Sequence, residues 1–214
     1  MRIGLVSDVH CEAPRLVAAL ERLADVDLLL CAGDMVLQYR FSDDVVALLR
    51  EREALAIQGN HEKIVLSPHG AGVRRAGQGT PEHWAWLAAQ PAQRRLGVDG
   101  YRLLLAHGAP WDDPVSLHCE YLYPHDAESL RRLADYDADV VVLGHTHYPM
   151  LKRIGGTLVV NPGSCGDARD RGLLTYGLLD TTAGMATLYR LDAGHAGETL
   201  CSDLLPDSGM MRSA

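Results

Sequence analysis

Seven oxygen and imidazole donors punctuate this chain in short clusters: Asp8-x-His10, Gly33-Asp34, Gly59-Asn60-His61, His107-Gly108 and Gly144-His145-Thr146-His147. Each cluster directly follows a short apolar stretch, so each donor is expected at the exit of a strand. The set holds no thiolate, which suits Mn²⁺, Fe, Co²⁺, Ni²⁺ or Zn²⁺ better than copper(I) or an iron-sulfur cluster. The imidazoles of His10, His107, His145 and His147 argue against a pure Mg²⁺ or Ca²⁺ site. One ion takes about four to six ligands, fewer than the candidates on offer, whereas two ions sharing one carboxylate use the whole set. A single Asp or His at a strand end is ordinarily a cap or a turn residue. That account would have to be repeated for every cluster.

The elements that must carry these donors are readable from periodicity. Apolar runs at 3–6 and 27–32 end in Ser7-Asp8 and Gly33-Asp34, and between them Pro14 opens a helix with Leu16, Leu20 and Leu23 on one face. Ser42 caps a second helix carrying Val45, Val46 and Leu49, and residues 54–57 form a short strand leading to Gly59. Glycines make 69–79 read as a loop, after which Thr80-Pro81 starts a helix through Trp84 and Leu87. Residues 96–98 and 101–106 form a hairpin around Asp99-Gly100 that delivers His107. A loop at 111–124 precedes a helix with Leu130 and Leu133, and the β-branched run at 140–143 feeds Gly144. A second hairpin spans 150–154 and 157–160, and residues 173–179 and 186–191 form a last strand pair. From Ala193 the periodicity stops. We therefore expect one domain over 1–192 and a loosely held tail over 193–214. α/β units followed by hairpins point to an α/β class, a four-layer α/β/β/α sandwich with two mixed β-sheets.

Composition narrows the function. The chain has 214 residues, 47% of them hydrophobic, enough for one good core. A net charge of −8 disfavours binding to genomic nucleic acid or anionic lipid. The five cysteines are odd in number and scattered, with no Cys-x-x-Cys, which fits a reducing cytoplasmic setting rather than a disulfide framework. No apolar run approaches the ~20 residues of a membrane span.

With Asn161-Pro162-Gly163-Ser164 added, these motifs resemble the calcineurin-like metallophosphoesterase family, in the family's order and over residues 1–191. The chain looks most like the small prokaryotic phosphodiesterase branch. The resemblance implies that Asp8, His10 and His147 bind one divalent cation, that Asn60, His107 and His145 bind a second, and that Asp34 bridges them. It implies Mn²⁺ or a similar ion pair and in-line attack on a phosphate ester by a shared, deprotonated water. His61 becomes the group that protonates or stabilises the leaving oxygen. Many relatives place an Asp after this His, where the chain has Glu62, and Gly-Asn after the first His, where it has Cys11-Glu12. Glu62 is expected to orient His61, and Cys11 to pack as a small buried side chain. The Asn161 turn is expected to prop the His145 and His147 loop; Ser164 has Pro162, not the Gly of a nucleophile elbow, two positions before it.

On the substrate side, Arg169 and Arg171 are candidates to clamp a phosphate, against a bland reading as solvated surface. Trp111, Tyr121 and Tyr123 are candidates to stack on an organic group, or simply to seal their loop. The partner is a small phosphate ester, with phosphodiesters first and nucleotide-derived ones among them, and homo-oligomerisation stays open. The competing readings are a phosphomonoesterase, a protein Ser/Thr phosphatase, and a non-catalytic scaffold of the same fold such as the family's retromer subunit.

Overall fold

A computed structural model describes residues 1–169, 172–192 and 197–206. Strand β1 (Arg2–Val6), helix α1 (Ala13–Arg22) and strand β2 (Leu28–Cys31) form a first unit with its strands parallel, and helix α2 (Asp43–Glu51) leads to the two-residue strand β3 (Leu55–Ala56). Ser42 caps α2 by accepting the Val45 N–H, and Asp43 and Asp44 in its first turn complement the helix dipole. Three short helices follow: α3 (Asn60–Leu66), α4 (Ala71–Arg75) and α5 (Pro81–Ala88). The hairpin of β4 (Gln93–Val98) and β5 (Tyr101–Ala106) turns on Asp99 and Gly100, both at positive φ. Helix α6 (Ala127–Arg131) precedes β6 (Val140–Val142), the hairpin β7 (Met150–Ile154) and β8 (Thr157–Asn161), then β9 (Thr175–Asp180), β10 (Met185–Arg190) and β11 (Glu198–Leu204).

These strands make two mixed sheets, β11-β10-β9-β1-β2-β3 and β4-β5-β6-β8-β7. The period of two along each strand sorts side chains between layers. Ile3, Leu5, Leu30, Leu103, Leu105, Val140, Val142, Leu158 and Val160 fill the space between the sheets. Leu29 and Cys31 face the other way, onto Leu16, Leu20, Val45 and Leu49 of α1 and α2, and Val141 and Val159 face Leu130 and Leu133. The order is helix, sheet, sheet, helix, as the sequence led us to expect. Within each sheet the strands that lead to donors run parallel, β1-β2-β3 and β5-β6, with β8 and its Asn161 turn parallel beside β6, so their exits share an edge.

Two expectations need correction. Residues 69–79 are not all loop: a 3-10 turn at Pro68–Gly70 continues into α4, which buries Val73. The tail expected to be loose from 193 contains β11, paired antiparallel with β10 from Met185↔Leu204 to Arg190↔Glu198. Backbone pairing holds this edge strand while most of its side chains stay in solvent, so it leaves no apolar alternation to read. Residues 193–196 and 207–214 lie outside the described residues.

Candidate metal centre

All seven donors meet at the shared strand edge, and the backbone is bent to bring them there. Asp8, His10, Asp34, His145 and His147 have φ between 50° and 69°, and they are five of the eight non-glycine residues with positive φ among the described residues. Such backbone costs about 1–2 kcal/mol per residue for an L-amino acid, and it concentrates where function requires a fixed side-chain direction. Glycine is required at two neighbouring points. A Cβ on Gly59 would lie 2.2 Å from Asp34 Oδ1 and 2.8 Å from His107 Nε2, and one on Gly144 would lie 2.2 Å from Ser7 Oγ. The donors pack directly against these bare backbones.

Three donor groups have their ligand atoms within 4.8 Å of one another: Asp8, His10 and His147; His10, Asp34 and His61; and Asp34, His107 and His145. In the first, Asp8 Oδ2 accepts from Ser7 Oγ at 2.6 Å and from the His145 N–H at 3.0 Å, which turns Oδ1 toward His147 Nε2 at 3.3 Å and His10 Nε2 at 3.8 Å. The two Nε2 atoms face each other at 3.0 Å. His147 Nδ1 donates to the Asp167 carbonyl, so its Nε2 lone pair points into the cluster. In the third group, His107 Nδ1 donates to the Ala32 carbonyl at 2.7 Å, leaving Nε2 at 3.2 Å from both Asp34 Oδ2 and Asn60 Oδ1. His145 Nε2 donates to the Cys119 carbonyl at 3.1 Å.

The electrostatics match this crowding. Burial opposes an imidazolium at His107, but the adjacent Asp34 carboxylate outweighs it and holds His107 up to about 10. Burial is likewise overcome at Asp34, whose carboxyl is held below its usual range by His107. Burial pushes His10 and His145 down to about 4, so both rings are neutral and their lone pairs are free to ligate. A divalent cation fits this donor set on a structural observation: Asp8 Oδ1, which faces the His10 and His147 Nε2 atoms, is one of the three buried side-chain polar atoms that lack a hydrogen-bond partner among the described residues.

Around the donors, Glu62 corrects one expectation. Its carboxylate does not orient His61. It accepts the N–H groups of Asp34 and Gly59 at 2.8 Å each and of Val36 at 2.9 Å, tying the β2 exit to the start of α3. Burial, then the Asp34 charge, pushes it up to about 7. His61 is set instead by the Gln38 N–H, which donates to Nδ1 at 3.1 Å and leaves the proton on Nε2, 3.7 Å from Asp34 Oδ2. Asn161 holds the Gly144 carbonyl at 2.7 Å and Thr146 Oγ1 at 3.1 Å, and Ser164 Oγ donates to the Asp8 carbonyl at 2.6 Å. Cys11 is half-buried, its thiol directed to the Arg40 carbonyl.

Above the donors lies a cleft of about 740 Å³ lined by His10, Asn60, His61, Tyr121 and Arg169, together with Arg15, Tyr39 and Arg40, which the sequence reading missed. Tyr121 stacks on the His145 ring at 3.9 Å. Trp111 is elsewhere: it bonds Glu120 through Nε1, lies under the Arg132 guanidinium and packs on the α6 side of the core. Tyr123 stacks between Tyr121 and His125. Arg171 lies outside the described residues.

The family model of the calcineurin-like phosphoesterase superfamily domain matches residues 1–184. The chain belongs to this superfamily. A probable metallophosphoesterase of Methanothermobacter thermautotrophicus is 30% identical over 175 residues, spanning 77% of each protein. The crystal structure of a metallophosphoesterase from Sphaerobacter thermophilus superposes with a TM-score of 0.71 at 25% identity, over 89% of this chain and 88% of that one. A solved archaeal phosphodiesterase shares the fold, with a TM-score of 0.59 at 24% identity over 89% of this chain and 99% of that one. The superfamily is one of metal-dependent phosphoester hydrolases, and the histidine and aspartate clusters are of the kind that hold metal. Among the described residues, no helix is long and apolar enough to cross a membrane.

Proposed function

We propose that this superfamily member is a dinuclear phosphodiesterase acting on small, nucleotide-derived esters, with Mn²⁺ first among the ions its oxygen and imidazole donors suit. The observation that carries the reading is the pair of donor groups joined through buried Asp34, with Asp8 Oδ1 unpartnered beside them. Asp8, His10 and His147 would hold one cation, Asn60, His107 and His145 the other, and Asp34 both. When bound, two such cations polarise the phosphoryl oxygens and lower the pKa of water.

The chain's own groups do the rest. Carbonyls of Ala32, Cys119 and Asp167 fix which nitrogen of His107, His145 and His147 carries the proton. Gln38 does the same for His61, whose Nε2–H opens on the cleft and is placed to donate to the departing oxygen. The cleft has room for substituents on both sides of a phosphate, which favours a diester over a monoester. Retention of the whole donor set and of His61 favours catalysis over a scaffold role. The free thiols support a cytoplasmic setting, and the net charge of −8 supports small substrates over genomic nucleic acid.

A panel of mono-, di- and cyclic phosphate esters tests this with the chelator-stripped protein and with Mn²⁺ restored. Diesters should be turned over fastest, and only with metal. Preference for monoesters would replace the diester assignment, and turnover in fully stripped protein would reject the mechanism.

A further inference from the structure

The floor of the cleft suffices for a simple diester, but one of its walls is cationic. Arg15 on α1, Arg40 after β2 and Arg169 after β8 come from separate segments and line the same cleft. Each guanidinium is anchored along one edge. Arg15 Nη1 donates to the Gly166 carbonyl at 2.5 Å, Arg40 Nη2 to the His10 carbonyl at 3.0 Å and to Glu12 at 3.1 Å, and Arg169 Nε to Asp167 at 3.0 Å. The anchors all belong to the Asp8, His10 and His147 half: the Gly166 N–H donates to the Asp8 carbonyl, and the Asp167 carbonyl accepts from His147. Anchoring holds a planar group in place, and a guanidinium has further N–H donors with which to grip an anion. Glu12 and Asp167 share the wall, so among the described residues three cations face two carboxylates there, a local positive excess in a chain of net charge −8. A volume of about 740 Å³ exceeds the needs of a single phosphoryl group and matches pockets that enclose a small molecule.

We infer that this wall is a subsite for a second phosphate, so that the preferred substrate is a phosphodiester carrying another phosphate on one of its alcohol components. The inference rests on the phosphodiesterase reading and names the substrate class within it.

The p-nitrophenyl ester of thymidine 5′-phosphate, with and without a 3′-phosphate, keeps the scissile bond constant and varies only the distal charge. The 3′-phosphorylated ester should show a kcat/KM about tenfold higher, mainly through KM, as expected for a charge-assisted guanidinium contact. Arg15→Gln and Arg169→Gln should each cut that ratio about threefold or more; Arg40 is spared because it also holds the His10 carbonyl. A matching pair built on glycerol separates the sources. Discrimination on both scaffolds assigns the effect to the phosphate alone, and discrimination only on thymidine assigns part of it to the nucleoside. Equal kcat/KM within both pairs, or a ratio unmoved in both variants, overturns the subsite and leaves the phosphodiesterase reading intact. No turnover of any ester sinks that reading instead, and calorimetry then decides the subsite. Thymidine 3′,5′-bisphosphate should bind the Mn²⁺-loaded protein about tenfold more tightly than thymidine 5′-phosphate, and equal affinities overturn it.

Discussion

The two halves of the donor set are finished to different degrees. Around Asp34, the outward nitrogens of His107 and His145 each have a backbone carbonyl, and His107 and Asp34 form a buried ion pair at 3.2 Å. This half is nearly satisfied by its own groups. Around Asp8, the His10 and His147 imidazoles point Nε2 at each other at 3.0 Å beside Asp8 Oδ1, a buried carboxylate oxygen that accepts no hydrogen bond among the described residues. Unpaired buried polar atoms are costly, so a cation bound here would stabilise this half. A cation entering the Asp34 half must instead displace the His107 proton. One half is thus closed by its own hydrogen bonds and ion pair, while the other keeps a buried carboxylate oxygen without a hydrogen bond.

Asp34→Asn should have the largest effect, because Asp34 is the only proposed link between the halves. We expect turnover to fall about a thousandfold or more, with both metals lost together, since several kcal/mol of charge stabilisation rest on the pair. Loss of one metal with the other fully retained would make the halves independent. Next, His61→Ala should lower turnover by roughly 10²–10⁴ while metal content stays constant, and the loss should be greatest for poor leaving groups. An equal loss across leaving groups would remove the acid role.

Stability against pH sharpens the contrast in the metal-free protein. The folded pKa of His107, about 10, lies above its ordinary value of 6.5, so its contribution is full below 6.5 and is lost as pH rises through 10. His10 and His145, lowered to about 4, contribute above 6.5 and lose that contribution as pH falls through 4. Melting temperature should therefore drop at both ends, by about 2–4 °C per kcal/mol lost, and His107→Gln should abolish the alkaline drop alone. An alkaline drop that survives His107→Gln would place its cause outside the ion pair. Trp111→Phe should do least, costing about 1 kcal/mol through the lost Glu120 bond and changing kcat/KM less than about twofold. A larger kinetic effect would return Trp111 to the substrate path.

Much of this was legible from residue types because parallel strands covered on both faces read as unbroken apolar runs with abrupt polar exits. Val140–Val142, followed by Gly144 and His145, is the clearest case. The gathering of Asp8, Asp34, His107 and His145 followed from placing such exits on one edge. What escaped had no periodic signal. Helix α4 has five residues and a single buried anchor, and β11 is held by backbone pairing with its side chains in water. Glu62 could not be assigned because its partners are backbone N–H groups, which no residue pattern records. Arg15 and Arg40 reach the cleft from a helix and a loop, where an arginine looks like any solvated one.

If two cations joined through Asp34 act together, both must be present for turnover. Titrating metal-free protein with Mn²⁺ while following hydrolysis of bis-p-nitrophenyl phosphate tests it most directly. Little turnover is expected through the first equivalent and a steep rise through the second. Full activity at one equivalent, or undiminished activity in excess chelator, would contradict it.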